Sequence, residues 1–387
     1  MSGPANPYRP GAGVPPPVLT GRDDVLARFE RVLEEVSSGE GQRPWAVTGA
    51  RGVGKTVLLL ELLQRAEDAG WVTARLEAGP PDSLAAALTR ALYVPLRRAL
   101  ARGGERGGAL SRLLTVFSAV RVTVDSSGRL SLGVDVDAAA AGAQLDDDAG
   151  LHRLLHALGL WVRDESRAAL ITIDELDAAA PADITALNRA LHLLGQDDLP
   201  VPVHVVVTGN PTLLAGLARA NPYAERLYVL HQLGPLDDAA AAGALTEPAT
   251  HLGIRWDPAA VDRAVAESWG VPYMVQSIGS FAWQVRAGES ISLPDVDAAV
   301  GLALAEARGM HLARWDGSTP AQQAVITALA ALGGEAPLAA VAERLGRTER
   351  SLGRVRADLV ARGVIEGREG RLRFTVPGFA AFVVENH

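Results

Sequence analysis

The sequence has no cysteine, a single lysine and few aromatic residues, and each shortage removes a class of explanation. Without cysteine there is no disulfide scaffold, no thiolate zinc site and no thiol nucleophile. No apolar run approaches the roughly 18 residues of a membrane-spanning helix. The opening stretch, MSGPANPYRPGAGVPPP, lacks the basic-then-apolar order of a signal peptide. With 37 basic against 45 acidic side chains the formal charge is −8, so the whole surface is not a polyanion-binding face and any nucleic-acid contact must be local. These features predict a soluble, cytoplasmic protein with no membrane partner, and 387 residues are enough for two or three domains.

The lone lysine is the most informative residue. Of the 37 basic side chains 36 are arginines, so a positive charge is elsewhere met by guanidinium, and a compact ammonium on a thin stem is kept only at Lys55. Lys55 lies in Gly49-Ala50-Arg51-Gly52-Val53-Gly54-Lys55-Thr56, which matches G-x-x-x-x-G-K-[ST]. A buried strand, 45–48, leads into this loop, and a helix from Val57 to Ala66 leaves it. In that setting the glycines let backbone N–H groups curl toward phosphate oxygens, with a helix N-terminus behind them. Residues 49 to 57 are therefore the expected nucleotide-binding segment: Lys55 contacts the β- and γ-phosphates of ATP, and Thr56 ligates Mg2+.

The chain reads as four parts. Residues 1–20, with six prolines, form an extended arm. Residues 21–235 alternate strand and helix, as an α/β parallel-sheet core does, and carry a β-hairpin insertion at about 118–137, where Val120, Val122 and Val124 answer Leu130, Leu132, Val134 and Val136. Residues 236–312 are helical, a lid. Residues 313–387 read as helix 319–332, helix 337–345, a turn at Gly346, helix 348–362 and a hairpin over 364–375, the order of a winged helix-turn-helix.

Two apolar strands end in polar residues. The strand 168–173 ends at Asp174-Glu175, at the sheet edge where open α/β sheets bind ligands. There Asp174 is expected to hold the metal through water, and Glu175 to orient or deprotonate the attacking water. The strand 203–207 ends at Thr208-Gly209-Asn210-Pro211, and Asn210, with Thr208 as the second choice, is the candidate hydrogen-bonder to the γ-phosphate or the water. Arg226 lies beyond it, either a finger reaching the nucleotide of a neighbouring subunit in a nucleotide-dependent homo-oligomer or a solvated salt-bridge residue.

Gly21-Arg22-Asp23-Asp24, the phosphate loop, Asp174-Glu175, Asn210, a helical lid and a winged helix together resemble the AAA+/STAND class of P-loop ATPases, and within it the bacterial proteins related to origin-recognition and Cdc-type initiators. The resemblance runs from Gly21 over nearly the whole chain. It implies an ASCE-type P-loop NTPase fold, ATP hydrolysis by in-line attack of water, and a place near the adenine for Arg22. Initiators usually carry a lid arginine that reaches the γ-phosphate. Here the segment is Trp269-Gly270-Val271-Pro272-Tyr273, similar to the Gly-x-Pro of STAND switches, which implies lid contacts from Gly270 and Pro272 and favours a switch over a motor.

On helix 348–362 the stripe Leu352, Val355 and Leu359 faces inward and leaves Arg350, Arg354 and Arg356 outside, with Arg347 in the turn and Arg368, Arg371 and Arg373 around the wing. Arg347, Arg350, Arg354 and Arg371 are the candidate contacts to double-stranded DNA along 347–373. Glu349, Asp358, Glu366 and Glu369 interleave with them, so a protein partner stays open. A nucleotide-gated scaffold with structural ATP and a small-molecule kinase are the competing readings. His152 and His156 have metal-ligand spacing without a third ligand. Trp256, Trp269, Trp283 and Trp315 are read as packing residues.

Overall fold

The computed structural model describes residues 4–80, 83–101, 120–124, 130–134, 148–197 and 199–387. They divide into two compact units, one of Asp24–Thr48 and Leu58–Gln232, the other of Met1–Asp23, Gly49–Val57 and Leu233–His387.

The first unit is built on α1 (Asp23–Ser37), β1 (Trp45–Gly49), α2 (Lys55–Asp68), β2 (Val72–Glu77), α3 (Leu84–Ala101), β3 (Val120–Val124), β4 (Leu130–Val134), α4 (Asp148–Asp164), β5 (Ala169–Asp174), α5 (Pro181–Leu194), β6 (Val203–Gly209), α6 (Leu213–Ala220), α7 (Ala224–Leu227) and β7 (Val229–Leu233). Five strands form one sheet in the order β2-β5-β6-β1-β7, with β1, β2, β5 and β6 parallel. Every residue of β1, β5 and β6 is buried, as expected of central strands covered on both faces. α1 shows the matching half-buried pattern: Leu26, Phe29, Val32, Leu33 and Val36 fall on one face at helical spacing. On the other face of the sheet Trp161, Leu92, Leu158 and Leu191 fill a core with Ile171 and Val205. Because the strands are parallel, β5 and β6 finish at one edge, which brings Asp174 and Thr208 together.

β3 and β4 pair antiparallel, Val122 opposite Leu132, as the alternation predicts. The hairpin's turn, its flanks and Val136 lie outside the described residues. The sequence reading did not anticipate β7, the edge strand.

The second unit contains α8 (Asp238–Thr250), β8 (Arg255–Trp256), α9 (Pro258–Ser268), α10 (Pro272–Val285), β9 (Ser290–Ile291) and α11 (Leu293–Asp316). Their core is unusually rich in small residues: Ala241, Ala244, Ala299, Ala303 and Ala307 bring the helices close. The proline-rich arm is packed here. Tyr8, 4% exposed, enters this core edge-on to Trp256 and Trp283, and Gly279 makes room for it, since a Cβ there would lie 2.7 Å from the Tyr8 ring.

The same unit ends in α12 (Pro320–Ala330), β10 (Glu335–Pro337), α13 (Leu338–Arg344), α14 (Gly353–Ala361), β11 (Ile365–Arg368), β12 (Arg371–Phe374) and α15 (Phe379–Asn386), with the three strands antiparallel in the order β10-β12-β11. Thr319 and Gln322 close a capping box on α12. The expected helix 348–362 is two pieces: a 3-10 turn over Glu349–Leu352, capped by the Thr348 side chain on Ser351 N–H, precedes α14. A local serine/threonine turn has competed with the helix. Leu352 and Leu359 still point inward. No helix among the described residues is long and apolar enough to cross a membrane.

Candidate functional site

The phosphate loop follows β1 and opens α2. Gly52 and Gly54 have φ of 88° and 93°, conformations that side-chain-bearing residues rarely adopt, so the two glycines are required by the backbone itself. At Gly49 the requirement is space: a Cβ would lie 2.6 Å from the Leu233 carbonyl oxygen and 2.8 Å from Val53. Lys55 Nζ donates to the carbonyls of Gly49 (2.9 Å) and Ala50 (3.1 Å), which holds the ammonium over the loop.

Four neighbours in the same unit brace this loop. Arg22 is buried, and its guanidinium donates to the carbonyls of Val53 (2.8 Å), Gly234 (3.0 Å) and Gly21 (3.1 Å). Burial lowers its pKa, and Asp237 acts in the opposite sense. Val271, between Gly270 and Pro272, lies 3.7 Å from where a Gly52 Cβ would be. Gly270 itself has φ of 65°, and a Cβ there would fall 2.1 Å from the Leu236 carbonyl oxygen. Pro272 starts α10 at the position where a missing N–H costs nothing.

The other two neighbours were not foreseen. On the arm, a Cβ at Gly13 would come 3.0 Å from Thr56 Cγ2. From the C-terminal module, a Cβ at Gly363 would sit 3.6 Å from the backbone nitrogen of Arg51. Arg314 backs this contact by donating to the Gly363 carbonyl (2.8 Å) and Thr375 Oγ1 (2.9 Å). Burial, then the neighbouring Arg51 and Arg362 charges, push its pKa down to about 10. Arg373 stacks over Trp269 at 4.5 Å, joining the same module to the segment before Gly270.

In the first unit, the sheet edge gathers a polar set. Asp174, 4% exposed, accepts a short hydrogen bond from Thr208 Oγ1. Glu175 has φ of 52°, a left-handed conformation for a residue with a side chain, and its N–H lies 3.2 Å from both Asp174 Oδ1 and Thr208 Oγ1. Such strain at a strand end is characteristic of functional sites. Thr208, the second choice in the sequence, is therefore the partner of the acidic pair. Asn210 is held elsewhere, by Asp177 and Thr212. Asp177 was missed; the run Asp174-Glu175-Leu176-Asp177 was the only available signal.

The remaining candidates lie each within its own unit. Arg226 is exposed on α7, and its carbonyl accepts from Arg43. Arg347, Arg350 and Arg354 are exposed, whereas Arg371 pairs with Glu335 at 3.0 Å. His152 and His156 share Asp197 Oδ2 at 3.2 and 3.7 Å. Among the described residues no group of three His, Cys, Asp or Glu could hold a metal ion.

The AAA ATPase domain family matches residues 18–207, and a domain of unknown function (DUF8462) matches residues 308–383. No curated protein matches the sequence. Among solved structures, the fold is similar to a Walker-type ATPase of Pyrococcus abyssi, at 15% identity over 95% of this chain and 96% of that one, TM-score 0.65. It is also similar to the Aeropyrum pernix ORC2 protein in its ADPNP–ADP complexes, at 17% identity over 96% and 95%, TM-score 0.58. Residues 18–207 are thus an AAA ATPase domain, and the chain has an α/β P-loop NTPase fold similar to these two archaeal structures.

Proposed function

We propose that this ATPase is a nucleotide-dependent switch of the STAND type, in which ATP and Mg2+ at the phosphate loop set the position of the C-terminal module, and that this module is a winged helix that binds double-stranded DNA through 347–373. One observation carries the reading. The loop proposed to receive the phosphates runs beside the C-terminal module, where a Cβ on Gly363 would lie 3.6 Å from Arg51 N, and beside Val271, which lies 3.7 Å from where a Gly52 Cβ would be. A loop that reshapes around phosphate would move both.

The residues fit the ligands. Glycine-only dihedrals at 52 and 54 belong to a loop that turns successive N–H groups toward an anion. Thr56 and Asp174 offer oxygen donors, the set that hard divalent cations prefer. Bound Mg2+ neutralises charge on the β- and γ-phosphoryl oxygens. In this reading Lys55 holds those oxygens, Glu175 takes the proton of the attacking water, Asn210 donates to the γ-phosphate, and Arg22, Gly270 and Pro272 border the base. Arg226, exposed on α7, would serve the nucleotide of a neighbouring copy in an ATP-dependent homo-oligomer. Light scattering tests that last step, and a strictly monomeric ATP-bound form would remove it. A cytoplasmic location belongs to the same proposal.

A second reading has its own observation. Arg371 and Arg373 both face Glu335, at 3.0 and 3.9 Å, so part of the wing's charge is already neutralised, as in a module that contacts protein. Fluorescence anisotropy with labelled duplex DNA, in ATP-Mg, ADP-Mg or no nucleotide and at two salt concentrations, decides between them. Salt-sensitive binding that differs between ATP and ADP supports the DNA switch. No binding in any state supports the protein-binding regulator.

A further inference from the structure

We infer that Asp177 is a positioning residue for hydrolysis, which fixes the Asn210 amide so that it offers one hydrogen, and no acceptor, to the substrate. The inference rests on the proposed role of Asn210 at the γ-phosphate.

The hydrogen bonds assign the amide. Asn210 Oδ1 accepts from Thr212 N (2.8 Å) and Thr212 Oγ1 (2.7 Å), which uses both of its lone pairs. Asn210 Nδ2 donates to Asp177 Oδ2 (2.8 Å), and the Asn210 backbone N–H donates to Asp177 Oδ1 (3.0 Å). A carboxylate is acceptor-only, so the nitrogen of the amide must face Asp177 and the flipped orientation is excluded. Of the amide's four hydrogen-bonding positions, three are taken. The one left is an N–H.

That count decides what Asn210 does. It cannot accept a hydrogen bond from the attacking water, so orienting the water falls to Glu175. A remaining N–H suits an acceptor, and the charge that grows on the γ-phosphoryl oxygens is one. Asp177 brings more than a contact: its negative charge polarises the amide through charge-assisted bonds, and two bonds to consecutive groups of one residue fix direction as well as distance. Gly209 is part of the device. A Cβ there would lie 2.4 Å from Asp177 Oδ1, so only glycine lets the carboxylate reach Asn210. The Asp174-Glu175-Leu176-Asp177 run thereby serves three different tasks, with Asp177 placed by the 3-10 turn Leu176–Ala178 that follows Glu175.

The test is steady-state and single-turnover ATP hydrolysis by the full chain carrying Asp177→Ala, Asp177→Asn, Asn210→Ala or both alanine changes, with ATP affinity and thermal unfolding measured beside it. Asp177→Ala is expected to lower the single-turnover rate about 10- to 100-fold, while KM and ATP affinity change less than about two-fold. Asp177→Asn, which retains an acceptor for the Asn210 N–H, should recover part of the rate. The double variant should be no slower than Asn210→Ala alone, because Asp177 acts only through Asn210. A normal rate in Asp177→Ala with a slow Asn210→Ala overturns the inference and leaves the role of Asn210 standing. Independent losses that multiply in the double variant also overturn it. A normal rate in Asn210→Ala removes the underlying role and the inference together.

Discussion

Gly363 lies beside Arg51, with the Arg51 backbone nitrogen 3.6 Å from the position a Gly363 Cβ would take. Gly363 has φ of 63°, so a side chain there is unfavourable on conformational grounds before any contact is considered. Gly363→Ala is expected to cost about 1 to 2 kcal/mol of stability from the left-handed backbone. A larger group, Gly363→Val, should in addition press on Arg51 and change the ratio of ATP to ADP affinity. Isothermal titration with both nucleotides checks this, and an unchanged ratio in Gly363→Val would mean that the contact transmits nothing.

In the proposed mechanism Lys55 and Glu175 separate binding from chemistry. Lys55→Ala removes the ammonium that lies over the loop and is expected to abolish nucleotide binding. Glu175→Gln should bind ATP normally and lose turnover by about 100-fold or more, because the amide cannot take the water's proton. Normal turnover in Glu175→Gln would remove Glu175 from the mechanism.

Acid should destabilise the first unit through two histidines. His204 is fully buried between Trp45 and Phe29, and neither ring nitrogen has a hydrogen-bond partner. Burial, then the nearby His231, lowers its pKa to about 3. Burial, then Arg28, lowers that of His231 to about 4. The unfolded chain binds these protons near pH 6.5 and the folded one only near 3 to 4, so the unfolded state holds more protons throughout that window. Stability is therefore complete above about pH 6.5 and falls as the pH drops, by up to about 1.4 kcal/mol per pH unit for each histidine. His204→Leu should flatten this dependence and leave stability at pH 7.5 equal or higher, since no hydrogen bond is lost. Urea midpoints from pH 4.5 to 7.5 measure both effects. A slope unchanged by His204→Leu would assign the acid sensitivity elsewhere.

Much of the sheet was legible because its strands are continuously apolar, and the phosphate loop was legible because its chemistry demands glycine and lysine at fixed spacing. The unforeseen features share a different origin. β7, with its half-buried Val229-Leu230-His231-Gln232-Leu233, carries no continuous apolar run. The break before α14 depends on one threonine side chain capping a turn, which helical periodicity does not register. Asn210 was singled out by its place at a strand end, but its orientation depends on Asp177, 33 residues earlier in the chain, and no spacing rule links the two. Arg371 is read by position alone, and only the pairing of β10 with β12 reveals that Glu335 lies beside it.

The arm is the clearest case of structure that composition concealed, since six prolines suggest a free extended segment and Tyr8 is instead a core residue. Its hydroxyl donates to the Leu245 carbonyl and accepts from Trp256 Nε1 at 2.9 Å. Asn6 adds a hydrogen bond to Ser280 Oγ at 2.9 Å. Tyr8→Phe keeps the ring between Trp256 and Trp283 and strands the buried indole N–H of Trp256, so it should cost about 1 to 3 kcal/mol. Tyr8→Ala also opens a cavity and should cost about 3 to 5 kcal/mol. Since the arm passes Thr56 at Gly13 on its way to Arg22, Tyr8→Ala is further expected to weaken ATP binding, whereas Tyr8→Phe should leave it unchanged. Chemical denaturation and nucleotide titration of the two variants measure both quantities. Equal ATP affinity in both variants, with stability reduced, would confine Tyr8 to the helical core of the second unit and separate the arm's anchor from the phosphate loop.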